Sequence, residues 1–279
     1  MPAHDTTALR TAFVTGSSRG IGKALAQALL DRGINVYISS SDGEDARHTA
    51  RHLHQDRARA EGGACDVTSA DAVRAAWDDA CERFGGIDIW INNAGLALGG
   101  GLVDMPETEV SRMLDINVMG LVHGCQTAIR GWRAAGRQGA LYNMLGAGAD
   151  GTLMPFMNGY ATTKAAVTYL TRSLAEEMKH SPSLAHPIVV GAISPGLVIT
   201  EGFLREHAKL DAEGARARRD WVNLIADHPE TIGRWAARIV DTNTRNGRIF
   251  TWLTPRKIRD RRKGKPRDVL ARYFPVEPS

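Results

Sequence analysis

Short apolar runs alternate along this chain with longer stretches whose apolar residues recur at helical spacing. TAFVT (11–15), NVYIS (35–39), GACDV (63–67), IDIWI (87–91), ALYNM (140–144), IVVGAI (188–193) and RIFTW (248–252) read as strands. Helical patterns lie between them near 20–32, 44–58, 69–84, 106–131, 156–180 and 203–240. Pro106 suits a first helical turn and is followed by acidic Glu107 and Glu109, while DHP (227–229) breaks the last helical region in two. Strands alternating with crossover helices predict an α/β fold, a doubly wound parallel sheet of seven strands with helices on both faces. Such a sheet binds ligands at the carboxyl ends of its strands. No internal repeat and no low-complexity linker interrupts the pattern.

Composition adds limits rather than detail. The 279 residues, 43% apolar and 24% charged, suit one large domain, expected over 1–254. The net charge of +4 is uneven: PRKIRDRRKGKPR (255–267) holds eight Lys or Arg and one Asp, a local +7. The rest of the chain is therefore mildly acidic, at −3, which argues against a nucleic-acid-binding domain. Residues 255–279 are expected to form a solvated basic tail, able at most to touch an acidic surface in a salt-sensitive way. Cys65, Cys81 and Cys125 are scattered without a CxxC pair, as expected of free thiols in a reducing compartment. No apolar run approaches the ~18 residues of a membrane span and no signal peptide is evident, so a cytoplasmic protein without stable membrane association is expected.

Two motifs carry chemistry. TGSSRGIG (15–22) follows the first strand and opens the first helix, where Gly16 allows a tight turn, Gly20 a close approach to a pyrophosphate, and Gly22 close helix–strand packing. The second strand ends in Ser39, Ser40 and Ser41, without the carboxylate that usually meets a ribose 2′-hydroxyl, and Arg19 could neutralise a 2′-phosphate. These residues favour NADP(H); the alternative leaves Arg19 in solvent and lets Asp42 read the ribose. The second motif is YATTK (160–164). Tyr160 and Lys164, four apart, share one helix face, and an ammonium beside a phenol should draw its pKa from about 10 toward neutrality. A tyrosine so tuned can exchange a proton with a carbonyl–alcohol pair.

With NNAG (92–95), Asn117 in LDINVMG and SPGLVIT (194–200), the chain resembles the short-chain dehydrogenase/reductase family, with its Rossmann-type fold. The resemblance implies hydride transfer between NAD(P) and a carbonyl–alcohol pair. It makes Tyr160 the acid/base, Lys164 its partner and the holder of the nicotinamide ribose, and Asn117 the residue that positions a water beside Lys164. It implies cofactor contacts from Gly16, Ser18, Arg19, Gly20, Ile21, Gly22, Ser40, Ser41, Asp66, Val67, Asn93, Ala94, Gly95, Pro195, Gly196, Ile199 and Thr200. It also implies a homodimer or homotetramer paired through the helices at 106–131 and 156–180. IDIWINNAG (87–95), NMLGAGADG (143–151) and ITEGFL (199–204) are similar to the chlorophyll b reductase branch and its bacterial relatives. The chain departs from that branch at Leu145 and Ala149, where those enzymes have an acid and a serine.

The family's helper serine, which holds the substrate oxygen, lies roughly 13 residues before the tyrosine. That position is Ala147 here, and LYNMLGAGADG (141–151) has no serine or threonine. Thr152, Asn143, Asn158, a water or a substrate hydroxyl could supply the bond. His48 and His52 have i,i+4 spacing but sit in a charged stretch that reads as a solvated face, so no metal is expected. Trp132 reads as a packing or interface residue. The expected activity is NADPH-dependent reduction of a ketone or aldehyde on a bulky, largely apolar small molecule. Residues 197–227, with Leu197, Val198, Phe203, Leu204, Trp221 and Leu224, are expected to form its lid. The alternatives are oxidation, dehydration or epimerisation on the same fold, or a cofactor-binding scaffold or sensor without turnover.

Overall fold

The computed structural model describes residues 10–54, 59–180 and 187–274. Its strands are β1 (Thr11–Val14), β2 (Asn35–Ser40), β3 (Ala60–Ala64), β4 (Ile89–Asn92), β5 (Gly139–Met144), β6 (Ile188–Ser194), β7 (Leu197–Val198), β8 (Ala226–Asp227) and β9 (Ile249–Thr251). Seven of them form one parallel sheet in the order β3-β2-β1-β4-β5-β6-β9, as the alternating pattern predicts. The chain winds outward from β1 to β3, then returns past β1 to β4, which opens a crevice at that reversal.

Alternate residues of the central strands feed two cores, because both faces of a parallel sheet are covered. Ala12, Val14, Val36, Ile38, Ile89 and Ile91 meet α1 (Gly20–Leu30), α2 (Gly43–Leu53) and α9 (Pro229–Thr242). Phe13, Tyr37, Trp90 and Leu141 point the other way, toward α3 (Ala70–Phe84), α5 (Gly120–Ala134) and α6 (Asn158–His180). Phe13 stacks on Tyr37 and Trp90 at centroid separations of 4.9 and 4.2 Å, and Trp132 is buried in this core with its indole N–H on Ile87 O at 2.7 Å.

The third strand lies at 60–64, upstream of the apolar run at 63–67. Its AEGGA sequence hides the strand, but a Cβ at Gly62 would sit 2.6 Å from Ala46 O and one at Gly63 2.0 Å from the Tyr37 hydroxyl. Two glycines are needed there for close approach rather than for apolar content, and Asp66 and Val67 consequently lie in the loop that follows. The helix expected over 106–131 is interrupted. It comprises α4 (Glu107–Leu114), a π-helical turn (Asp115–Met119) and α5, and the wide turn carries Asn117. Residues 55–58 of the expected second helix lie outside the described residues.

The expectation of a solvated basic tail is corrected in part for 255–274: Arg256, Arg259, Arg262, Lys263 and Lys265 are exposed, but the segment is folded. Thr254 caps α10 (Pro255–Lys263), accepting from Lys257 N at 3.2 Å, and the chain then packs Val269 and Leu270 against Ile199, Val222 and Ala226. Between β7 and β8 lie α7 (Glu201–His207) and α8 (Ala212–Ile225). Arg261 and Arg267 reach across to the end of α8: Arg261 donates to Leu224 O and Ile225 O, and Arg267 to Asn223 O, Leu224 O and Ala226 O, all within 3.2 Å. They thus satisfy carbonyls that a helix terminus leaves without partners. Both also bind the buried Asp227, at 2.6 and 2.8 Å, and Trp252 Nε1 donates to it at 2.6 Å.

Candidate active site

A single cleft of about 1830 Å³ runs across the carboxyl ends of the strands, from the turn after β1 to α7 and α8. At its first end the glycine-rich turn is held open by backbone conformation. Gly16 and Gly20 have φ of +59° and +57°, values that a side chain disfavours. A Cβ at Gly16 would lie 2.8 Å from Ala94 Cα, and one at Gly22 would lie 2.5 Å from Asn93 Nδ2. Asn93 fastens the turn by donating to Thr15 O and Gly16 O at 2.9 Å, while Thr15 Oγ1 accepts from Asn93 N and Ala94 N. Ser18, Arg19, Gly20, Ile21 and Gly22 line the cleft where α1 begins, with first-turn N–H groups suited to a phosphate. The bare backbone and the helix terminus together fit a dinucleotide.

Ser40, Ser41, Asp66, Val67, Asn93, Ala94, Gly95, Pro195, Gly196 and Thr200 line the same cleft. Asp42 does not: it caps α2, accepting from Glu44 N at 2.8 Å and Asp45 N at 3.4 Å. Its carboxylate is thereby committed to the helix, which weakens it as a reader of the ribose. Ile199 is a correction. It is buried against Val222 and Ala226, off the cleft wall, and its N–H donates to Asp227 O at 3.0 Å.

Tyr160 stands in the first turn of α6 and Lys164 one turn further on, both on the cleft wall. Lys164 Nζ donates to Met144 O at 3.0 Å and lies 5.7 Å from the Tyr160 ring centroid. The expected drop of the tyrosine toward neutrality is absent here: burial pushes the Tyr160 phenol up to about 12 and the Lys164 ammonium down to about 8. Desolvation sets both shifts, and the lysine spends a hydrogen bond on a neutral carbonyl.

Asn117 lies in the π-turn behind this wall. Its buried side chain is off the cleft wall, with Oδ1 accepting from Leu96 N at 2.7 Å and Nδ2 donating to Leu96 O and Thr163 Oγ1 at 2.8 and 2.9 Å. It braces the 93–96 loop against α6. Thr163, which sequence reasoning passed over, links the two elements by donating in turn to Tyr160 O at 2.7 Å. Its place inside YATTK was the available signal.

At the vacant serine position Ala147 is exposed on the cleft wall, while Gly146 lies directly against the tyrosine: a Cβ there would be 2.0 Å from the Tyr160 hydroxyl. Asn143 is excluded as a substitute donor. It is buried, accepts from Asn92 Nδ2 at 2.8 Å and donates to Thr171 Oγ1 at 2.9 Å. Asn158 is exposed off the cleft wall, whereas Thr152 is on it. Thr152 N donates to Asp150 at 3.0 Å, and its backbone and hydroxyl hold the Asp150 carboxyl below its ordinary range. Asp150, also on the wall, was not anticipated.

On the far side, Leu197, Val198, Phe203 and Trp221 line the cleft as expected, joined by Leu210 and Ile225; Leu204 and Leu224 do not. Arg205 and Arg218 are exposed on this wall. Among the described residues no group of three His, Cys, Asp or Glu is placed to hold a metal, and no helix is long and apolar enough to cross a membrane. Burial pushes Cys65 and Cys125 up to about 12, so neither is a nucleophile.

The short chain dehydrogenase family profile matches residues 10–210, and the chain belongs to that family. Its relatives include chlorophyll b reductases of Oryza sativa subsp. japonica. The chain is 35% identical to chlorophyll(ide) b reductase NOL over 238 residues, which cover 83% of this chain and 67% of that protein. It is 30% identical to the probable chlorophyll(ide) b reductase NYC1 over 268 residues, 89% of this chain, and spans about half (51%) of that protein's length. Among solved structures it is similar to a gluconate 5-dehydrogenase from Burkholderia cenocepacia J2315 in complex with NADP and tartrate. That pair has a TM-score of 0.75 at 27% identity, covering 87% of this chain and 93% of the other.

Proposed function

We propose that this oxidoreductase uses NADPH to reduce a ketone or aldehyde on a bulky, largely apolar small molecule. One observation carries the reading. Tyr160 and Lys164 share a continuous cleft with a glycine-rich turn bearing Arg19, and the acid nearest the end of β2, Asp42, is committed to capping a helix. NADP in the gluconate dehydrogenase complex is consistent with this preference.

The bound nicotinamide supplies a hydride to the carbonyl carbon. Around it the chain's residues bind, orient and move a proton. Gly16, Gly20 and the first turn of α1 receive the phosphates, and Arg19 with Ser40 and Ser41 receives the 2′-phosphate. Tyr160, protonated at neutral pH, delivers its hydroxyl proton to the substrate oxygen as that oxygen gains charge. Lys164, positioned by Met144 O, stabilises the phenolate that results. Thr152 stands on the same wall, but its hydroxyl is given to Asp150, which leaves the missing hydrogen bond to a water or a substrate hydroxyl. The apolar wall of Leu197, Phe203 and Trp221 supports the substrate class. Exposed Leu114, Met119 and Tyr169, on α4, the π-turn and α6, support pairing of copies through those helices.

Oxidation of NADPH across a panel of carbonyl compounds tests this reading. Turnover that starts with NADPH and one class of bulky carbonyl is expected; a protein that binds NADPH and reduces nothing would place it among non-catalytic cofactor-binding proteins.

A further inference from the structure

Met154, Pro155, Phe156 and Met157 form a turn just before α6, closed by Met157 N donating to Met154 O at 3.0 Å. Proline at its second position and a φ of +62° at its third mark it as type II. That third position belongs to glycine or asparagine, because a bulkier side chain crowds the backbone there. Phe156 is nevertheless the one non-glycine residue with positive φ among the described residues. Core packing does not offset this strain, since its side chain is 72% exposed. Phe156 O accepts from Gly100 N at 2.7 Å, tying the 96–105 loop to the turn, but any residue supplies a carbonyl. Neither backbone preference nor contacts within the chain call for a phenylalanine. Its position does: Phe156 lines the cleft that holds Tyr160, and Phe203 and half-exposed Trp221 line the same cleft.

We propose that Phe156 is a specificity-determining residue whose ring covers the flat apolar face of a fused-ring substrate while the substrate's carbonyl meets Tyr160. The inference rests on the reductase reading and narrows its substrate class. An exposed aromatic ring gains by stacking on a broad apolar surface, and strain held in the free protein is compensated when that contact forms. A carbonyl compound of only a few carbons has no broad apolar face to offer the ring.

Phe156→Gly and Phe156→Asn provide the test, because both residues suit the turn and differ in backbone freedom. Both variants are expected to keep or raise Tm. For pyrenecarbaldehyde, kcat/KM should fall at least about tenfold, while that for propanal stays within about twofold. Calorimetric binding of pyrenecarbaldehyde to the NADPH-loaded protein should weaken by a similar factor. Equal losses for both aldehydes, unchanged binding in both variants, or no binding by the unmutated protein would overturn the proposal. So would a shift in oligomeric state by light scattering with aldehyde binding unchanged, which would assign the ring to a contact between copies. If the unmutated protein binds the aldehyde but reduces neither compound, the reductase reading fails, and the binding comparison alone decides the role of Phe156.

Discussion

The two ends of the cleft are built by different means. The cofactor end is made of backbone: positive-φ glycines, a bare helix terminus and short polar side chains bonded within one or two loops. The substrate end is held by long charged side chains that meet on a buried carboxylate. Arg261 and Arg267 close on Asp227 from 34 and 40 residues away, and both ends of the lid are stitched to that cluster, β7 through Ile199 N and α8 through its last carbonyls. The first kind of construction tolerates almost no substitution and serves one ligand. The second holds a variable lid in place without dictating what the lid contacts.

The strongest way to break this division is at the point where the ends meet. Tyr160→Phe should lower kcat by about 10²–10⁴-fold, the range of a positioned proton donor, and leave NADPH affinity nearly unchanged by fluorescence titration. A variant that keeps most of its activity would move proton transfer to another group. Gly146→Ser should come close in severity, because its Cβ must displace the Tyr160 hydroxyl. Ala147→Ser is the contrasting case: it adds a hydroxyl on an open stretch of wall and should raise turnover of small ketones, by less than the ~10²–10³ that one oxyanion donor commands. If both serines behave alike, the geometry beside Tyr160 is not as described.

The substrate end is tested by Asp227→Ala. The carboxylate is 7% exposed and the Arg261 side chain 11%, so removing it leaves buried guanidinium charge without a partner. The expected cost is about 3 kcal/mol, read from urea unfolding. Substrate KM should rise more than the cofactor Kd. A loss confined to cofactor binding would reverse the division of labour.

How much of this was legible in the chain follows the same line. Glycines in TGSSRGIG, the alternation of apolar runs and the YATTK spacing are local signals, and they located the seven sheet strands and the glycine-rich end of the cleft. The third strand was set three residues late because Gly62 and Gly63 serve close approach, which no apolar pattern reports. The basic segment read as solvated because a charge run usually is; only the fold brings Asp227 to it. The bonds of Asn117 to Leu96 and Thr163 had no local signal, since the three meet only through the π-turn.

Cofactor preference should respond more modestly. NADPH should bind about tenfold tighter than NADH, about 1.4 kcal/mol, and Arg19→Ala should remove most of that margin. Equal affinities in the unmutated protein would return the 2′ position to some other residue.

The smallest expected effect is a pH dependence of cofactor binding. With its ammonium drawn down to about 8 by burial, Lys164 is charged below that pH and increasingly neutral above it. A cofactor that carries phosphates and meets Lys164 favours the charged form, so binding raises the lysine's pKa and takes up a proton between the free and bound values. Affinity for NADPH is therefore flat below about pH 8 and weakens above it, by a few-fold per pH unit at most. Tyr160, held near 12, stays protonated throughout this range and adds nothing to the slope. Titrations from pH 7 to 9.5 in the unmutated protein and in Lys164→Met check the assignment. The variant should bind more weakly with a flat profile, and a slope that survives the substitution would trace the proton to another group.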